Sequence, residues 1–198
     1  MNFEQLQEEY QNCQRCPILT KSRTQVVFGS GNKNAEILFI GEAPGANEDK
    51  QGIPFCGASG KILDELLQSI NLSREEDIFI TNTILCRPPE NRNPLSEEVE
   101  NCRDRLEELI RIIRPKVIVT IGNYATNRII NKTGIKSIKG KVFSINKEWG
   151  KIKVVPVIHP ANYLYSGRNP DLLKKMKEDF QAVAKLIDDN KQKKVNDF

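Results

Sequence analysis

Four short apolar runs, rich in β-branched residues, punctuate the chain at residues 36–40 (EILFI), 77–81 (DIFIT), 116–121 (KVIVTI) and 153–158 (KVVPVI). They are nearly continuous rather than alternating, the pattern of strands buried on both faces. Between them the apolar positions recur at helical spacing. Ile62, Leu63, Leu66, Leu67 and Ile70 follow Ser59; Val99, Cys102, Leu106, Leu109, Ile110 and Ile113 follow an N-cap candidate at Ser96 and stop before Pro115. Each set gives a helix one apolar face. Residues 123–131 predict a shorter helix, Phe3, Leu6 and Tyr10 an N-terminal one, and the spacing from Leu172 to Ile187 a C-terminal one over 171–189. Alternating strands and helices predict an α/β fold whose central, mainly parallel four-stranded sheet is covered on both faces. Residues 26–28 and 141–145 are candidates for added edge strands. With no repeat, low-complexity segment or linker in view, one domain is expected over 1–198, with 191–198 as a frayed tail.

Composition narrows the class. The 198 residues are 38% hydrophobic and 28% charged with a mean hydropathy of −0.48, and no apolar run approaches the roughly 18 to 20 residues that span a bilayer. No membrane role is expected. Glu4, Glu8 and Glu9 precede the first arginine, Arg15, without an apolar stretch; that is unlike a secretory signal, and a cytoplasmic chain is expected. The net charge of +4 decides little, but its distribution is uneven: residues 132–153 hold seven lysines against Glu148 alone, while acids gather over 97–108. Such a surface is either solvated and merely uneven or a nucleic-acid face. Charge alone does not choose.

In open α/β sheets ligands gather beyond the carboxyl ends of the strands. The residues there are Gly41-Glu42-Ala43-Pro44-Gly45, then Asn82, then Gly122-Asn123, then His159-Pro160-Ala161. A carboxylate, a carboxamide and the only histidine of the chain thus converge on one rim. The acids of residues 41–49 make a poor phosphate cradle, and no G-x-x-x-x-G-K-[ST] loop is present. Phe55, just before a helix, offers either core packing or a flat platform for a ring. Asn82 is either a turn cap or a reader of a pyrimidine edge, since an amide donates and accepts at once. Among the five cysteines, Cys13 and Cys16 form C-x2-C, and Cys86 and Cys102 are separated by fifteen residues; Cys56 is the odd one out. In a reducing compartment a thiolate-bound metal centre is a better reading than disulfides. Zinc and iron-sulfur are both compatible with this spacing.

The segments GEAPGANED (41–49), PFCGASG (54–60), TNTILCRPPENRNP (81–94), PKVIVTIG (115–122) and HPA (159–161), in this order and with the four cysteines, closely resemble the iron-sulfur (family 4) uracil-DNA glycosylases. The resemblance runs from Phe3 to about Ile187. It implies a three-layer α/β/α sandwich, a 4Fe-4S cluster on Cys13, Cys16, Cys86 and Cys102, and excision of uracil from single- or double-stranded DNA to leave an abasic site. By the same resemblance Phe55 stacks on the flipped base, Asn82 bonds its polar edge, and Gly41, Ala43 and Gly45 line the uracil pocket. His159 would stabilise charge at O2 of the leaving base. Glu48 would position water and crowd out thymine's methyl group, with Glu42 ranked second among the catalytic carboxylates. Arg87, Arg92 and Arg168 are expected on DNA phosphates, and Tyr163, Leu164 or Tyr165 as the wedge in the duplex.

Two departures stand out. Better-known uracil glycosylases carry an aspartate where this chain has Ala43, and the stretch after HPA, residues 162–170, is longer than the usual arginine-containing run. Two other readings compete: a non-enzymatic DNA-binding module stapled by metal, and a sister glycosylase with altered base specificity. The module has no need of Glu42, Glu48, Asn82 and His159 at the strand ends, and the sister branch carries a histidine near residues 90–92 that this chain lacks. A monomer associated with the nucleoid is expected, with a replication or repair partner left open.

Overall fold

The computed structural model describes residues 1–196, with side chains through residue 187. The chain opens with α1 (Phe3–Gln11), started by a capping box in which Asn2 accepts the Gln5 N–H and Gln5 accepts the Asn2 N–H, both at 2.9 Å. After Cys13 and Cys16 comes α2 (Pro17–Ser22), with proline at its first position, where no N–H is needed. Then follow β1 (Ser30–Gly31), β2 (Ile37–Gly41), α3 (Ala46–Gln51), α4 (Ala58–Gln68) and β3 (Ile78–Asn82). A 3-10 turn at Pro89–Asn91 leads to α5 (Ser96–Asn101), α6 (Arg103–Ile113), β4 (Val117–Ile121) and α7 (Gly122–Ile130). The chain ends with α8 (Ile135–Ile138), β5 (Phe143–Lys147), β6 (Gly150–Val157), α9 (Ala161–Tyr165) and α10 (Pro170–Asn196). The tail expected to fray falls partly on residues 197–198, which lie outside the described residues.

The sheet has six strands in the order β1-β3-β2-β4-β6-β5, not four. The four apolar runs are its parallel centre, and β1 and β5 add antiparallel edges. The edge-strand candidate at 141–145 is β5, shifted two residues along to 143–147, whereas β1 lies outside every candidate run. β1 has two residues, and β5 alternates half-buried with exposed positions because only one face of an edge strand is covered. The edge strand expected at 26–28 is instead an irregular segment: the Val27 N–H donates to the Leu85 carbonyl, and pairing begins only at Ser30.

Alternation along the central strands divides the core. Leu38, Ile40, Ile118 and Val154 face a cluster closed by Phe3, Leu6 and Tyr10 of α1 and by Leu106, Leu109 and Ile110 of α6. Ile37, Phe39, Val119 and Val155 face the other cluster, closed by Leu63, Leu66 and Leu67 of α4 and by Met176, Phe180 and Val183 of α10. Helices therefore flank both faces, which is why these strands carry no polar side. The helix expected to run unbroken from Ser96 is two helices, broken at Cys102 (φ −97°, ψ 2°). Ser96 is the first helical residue rather than the cap. Leu95 takes the cap position, and the Glu98 carboxylate accepts its N–H at 2.8 Å. No helix among the described residues is long and apolar enough to cross a membrane.

Phe39 is fully buried and meets Phe180 across the second cluster, with ring centroids 6.2 Å apart. Phe39→Ala is expected to lower the unfolding free energy by about 3 to 5 kcal/mol, read from denaturant titration.

Candidate active site

Because β2, β3, β4 and β6 are parallel, the loops that leave them share one edge of the sheet. There they enclose a pocket of about 380 Å³. Glu42, Ala43, Gly45 and Glu48 line it from the β2 side, Asn82 from β3, His159 from β6, and Phe55 from the turn before α4. Gly41 does not line the pocket but makes room behind it. A Cβ there would lie 2.3 Å from Asn82 Oδ1 and 2.7 Å from the Phe55 ring, so any larger residue would displace both. Gly41 and Asn82 are register partners, and the Gly41 carbonyl accepts both the N–H and the hydroxyl of Thr83, at 2.8 and 2.9 Å.

Three features prepare this pocket for a polar ring. First, Asn82 is 1% exposed, and its Oδ1 has no hydrogen-bond partner. A buried amide oxygen without a donor costs about 1 to 3 kcal/mol, so this one is set to accept from something that enters. Second, Phe55 is held at φ 52°, a conformation bulky residues rarely adopt. Arg74 holds it there: Nη1 donates to the Pro54 and Phe55 carbonyls, both at 3.0 Å, and Nη2 pairs with Asp64 at 2.6 Å. Gly60 is required beside it, since a Cβ would come within 1.7 Å of the Phe55 carbonyl oxygen. Third, the His159 ring is stacked on Phe55, with centroids 5.7 Å apart. Its Nδ1 accepts the Ala161 N–H at 3.1 Å, which places the proton of a neutral imidazole on Nε2. Burial drives its pKa down to about 4, against a smaller opposing pull from Glu48.

The two glutamates are deployed differently. Glu48 is buried, and both its oxygens are engaged by backbone: Oε2 accepts the Gly45 N–H at 3.1 Å and Oε1 the Gly57 N–H at 3.0 Å. It thereby ties the start of α3 to the loop that carries Phe55. The Glu42 carboxylate has no hydrogen-bond partner among the described residues, and burial raises its pKa. Pro88, Asn91 and Asn93 also line the pocket, as do Ala161, Asn162 and Tyr165 of α9. Sequence reasoning had not singled out most of these, because loop residues that meet only in space carry no periodic signal.

The expected DNA contacts separate as well. Arg92 lines the pocket, but its guanidinium forks onto Glu98 at 2.6 and 2.9 Å, so its charge already has a partner. Arg87 donates to Asn91 Oδ1 at 2.7 Å and fixes the turn, where Glu90 and Asn91 both have positive φ. Arg168 is exposed. On α9, Tyr163 packs against the second core cluster and Leu164 is half-buried, whereas Tyr165 is 85% exposed at the mouth of the pocket.

Cys13, Cys16, Cys86 and Cys102 gather on the opposite side of the Asn82 strand from α4, against the first core cluster. None is in a disulfide. Burial lifts the Cys86 thiol to about 11 despite the Arg23 N–H on its sulfur, and Cys13 and Cys102 raise it further. Cys16 is raised by burial and by the same two neighbours. Among the described residues no three His, Cys, Asp or Glu side chains close on a single metal ion. Cys16 and Cys86 each lie close enough to Cys13 and Cys102 to feel their charge. Two cations also attend them. Arg23 Nη1 donates to Cys86 Sγ at 2.9 Å and Nη2 to the Cys13 carbonyl at 2.6 Å, and Arg105 lies against Cys102. Cys56 stands apart, near Glu48.

A model of the Uracil DNA glycosylase superfamily matches residues 28–181. The chain is 44% identical over 191 residues to the type-4 uracil-DNA glycosylase of Archaeoglobus fulgidus, covering 93% of both chains. It is 42% identical to that of Sulfurisphaera tokodaii, over 93% of this chain and 84% of the relative, and 41% identical to that of Saccharolobus solfataricus, over 94% and 87%.

His159 is the only histidine, so its imidazole resonances can be followed without ambiguity. They are expected to stay flat from pH 8 to 5.5 and to move only near pH 4. Above pH 6.5 the folded and unfolded chains both hold the ring neutral. Between 6.5 and about 4 only the unfolded chain takes up the proton, so acidification through this window should cost roughly 3 kcal/mol of stability. A His159→Gln variant should lose that part of the pH dependence in denaturant titrations.

Proposed function

Since the chain belongs to the type-4 uracil-DNA glycosylases, we propose that it excises uracil from DNA for base excision repair, by hydrolysing the N-glycosidic bond and leaving the strand intact. The observation that carries this reading at the site is the buried, unpartnered Oδ1 of Asn82 beside the Phe55 and His159 rings. A target base reaches such a pocket only by leaving the stack, at a cost of a few kcal/mol that is least for a mismatched pair. In the pocket Asn82 Oδ1 accepts the uracil N3–H and its amide donates to O4. Cytosine has an acceptor at N3 and a donor at C4, so the same amide faces the wrong pattern. Phe55 supplies the flat surface for the ring.

As the bond from N1 to C1′ breaks, the electron pair leaves with uracil and positive charge grows on the sugar. His159, neutral and fixed by Ala161, donates from Nε2 toward O2, where the negative charge accumulates. A carboxylate is then needed only to orient water toward C1′. The geometry favours Glu42 for this, because its oxygens are unengaged, while Glu48 holds the two pocket loops together and stands toward the C5 edge. Water gives its hydroxyl to C1′ and its one proton passes through the carboxylate to solvent, while uracil leaves with the N1–C1′ electron pair as an anion that takes its proton from solvent after release. Tyr165 is the side chain of α9 best exposed to enter the duplex, ahead of Tyr163 and Leu164. Arg87 and Arg168 have phosphates as natural partners, and Arg92 acts mainly by fixing the loop. The four cysteines fit a 4Fe-4S cluster, whose contribution would be to fasten α1 and the loop after β3 to the body of the fold.

A labelled oligonucleotide with one uracil should become alkali-cleavable after incubation with the protein, and the same strand with thymine or cytosine should not. Asn82→Ala should lose roughly 1 to 3 kcal/mol of discrimination, read as kcat/KM for uracil against mismatched cytosine. Under single turnover, His159→Ala should slow release about 100-fold or more with little change in DNA affinity. Glu42→Gln should be slowed more than Glu48→Gln; the reverse order would return the water-positioning role to Glu48. Anaerobically purified protein should contain iron and absorb broadly in the visible. Alanine at any of the four cysteines, but not at Cys56, should abolish that absorbance and lower stability. Stoichiometric zinc without iron would exclude the cluster.

A further inference from the structure

We infer that Arg105 is the positioning residue that joins the cysteine site to the strand end that reads the base: its charge balances the thiolates, and its fork holds the backbone of Asn82 and Thr83. This rests on the function and cluster proposed above. Arg105 is the largest fully buried side chain, at 0% exposure, on the inner face of α6. Its Nη2 donates to the Asn82 carbonyl at 2.7 Å and the Thr83 carbonyl at 3.1 Å, and its Nη1 to Thr81 Oγ1 at 3.3 Å. Every one of these acceptors is neutral. Its Nε is buried without a partner, and none of the ion pairs among the described residues includes it.

A guanidinium stays charged in proteins, and burying one without an anion is costly. The one anion-forming cysteine against it is Cys102, three residues earlier and on the same helical side. Arg23, the other cation of this site, also lacks a carboxylate and points at Cys86 Sγ. Neutral thiols give two such cations no reason to converge. Thiolates that ligate iron do.

The fork has a second consequence. The Thr83 N–H and hydroxyl close on the Gly41 carbonyl, and the Ile84 N–H on the Glu42 carbonyl at 3.2 Å. Holding the Asn82 and Thr83 carbonyls therefore also fixes the strand end that presents Glu42. The cluster and the uracil pocket share this one side chain.

Two variants separate charge from fork, with wild-type iron content and uracil release as the reference. Arg105→Lys keeps the charge but cannot bridge both carbonyls. It should retain iron and lose it to a chelator at the wild-type rate, while kcat/KM on uracil-containing DNA falls roughly 10- to 100-fold and affinity for undamaged DNA is unchanged. Arg105→Gln removes the charge and should release iron about 10-fold faster or more. Wild-type iron release by Arg105→Gln would overturn the counter-ion role, and wild-type uracil release by Arg105→Lys would overturn the positioning role. Equal loss of iron, folding and activity in both variants would reduce Arg105 to a packing element and overturn the inference as a whole. If the wild-type protein itself holds no iron or releases no uracil, it is the proposed function that fails.

Discussion

The parallel pairing of β2 with β3, which ends with Gly41 opposite Asn82, is the constraint from which the site follows. Parallel strands place their outgoing loops on one edge, so residues 41 in sequence from each other become neighbours. The absent side chain of Gly41 lets the Asn82 amide and the Phe55 ring occupy the same small volume. A one-residue slip of this pairing would turn Asn82 into the opposite core and bring Thr81 or Thr83 to the rim. Both faces of these strands are buried, so such a slip would expose or bury the wrong groups throughout β3. The hydrophobic core thus enforces the register that the chemistry needs.

Around this register the polar groups are arranged at different costs. Backbone carbonyls of the Phe55 turn are held by Arg74, those of the Asn82 strand end by Arg105, and the backbone N–H groups of Gly45 and Gly57 by Glu48. Each anchor has its hydrogen-bonding capacity largely committed to main chain. Glu42, the Asn82 Oδ1 and the His159 Nε2 are the groups left uncommitted, and all three belong to the pocket wall. Rigid supports around unsatisfied recognition atoms are what preorganisation requires, since the energetic cost of orienting these groups is met in folding rather than in the reaction.

The neutrality of His159 comes from the same packing. Burial beside Phe55 removes the water that would solvate an imidazolium, and the nearby Glu48 charge is too little to restore it. A hydrogen-bond donor that is neutral in the resting site can gain strength as the leaving base becomes anionic, without first holding a competing counter-ion. The cations of the cysteine side are treated in the opposite way: Arg23 and Arg105 are charged groups kept in place beside thiols, on the far side of the Asn82 strand.

The sequence by itself determined the parallel centre of the sheet, the main helices and the rim on which Glu42, Asn82 and His159 meet, because buried strands and amphipathic helices leave periodic hydrophobic patterns. It also identified the family, since motifs in register survive as local strings. It marked the half-covered β5 only as a candidate two residues early, and it did not determine β1, whose position depends on a neighbour rather than on its own residues, nor the break at Cys102 inside an unbroken apolar stripe. The division of labour between Glu42 and Glu48, and between Arg92 and Tyr165, was decided by tertiary structure. Whether a charged side chain is spent depends on which backbone groups or counter-charges arrive beside it. Arg105 was not singled out in the sequence at all: a charged residue does not mark an apolar face, and its partners, the carbonyls of Asn82 and Thr83, come from a different strand and are brought to it only by folding.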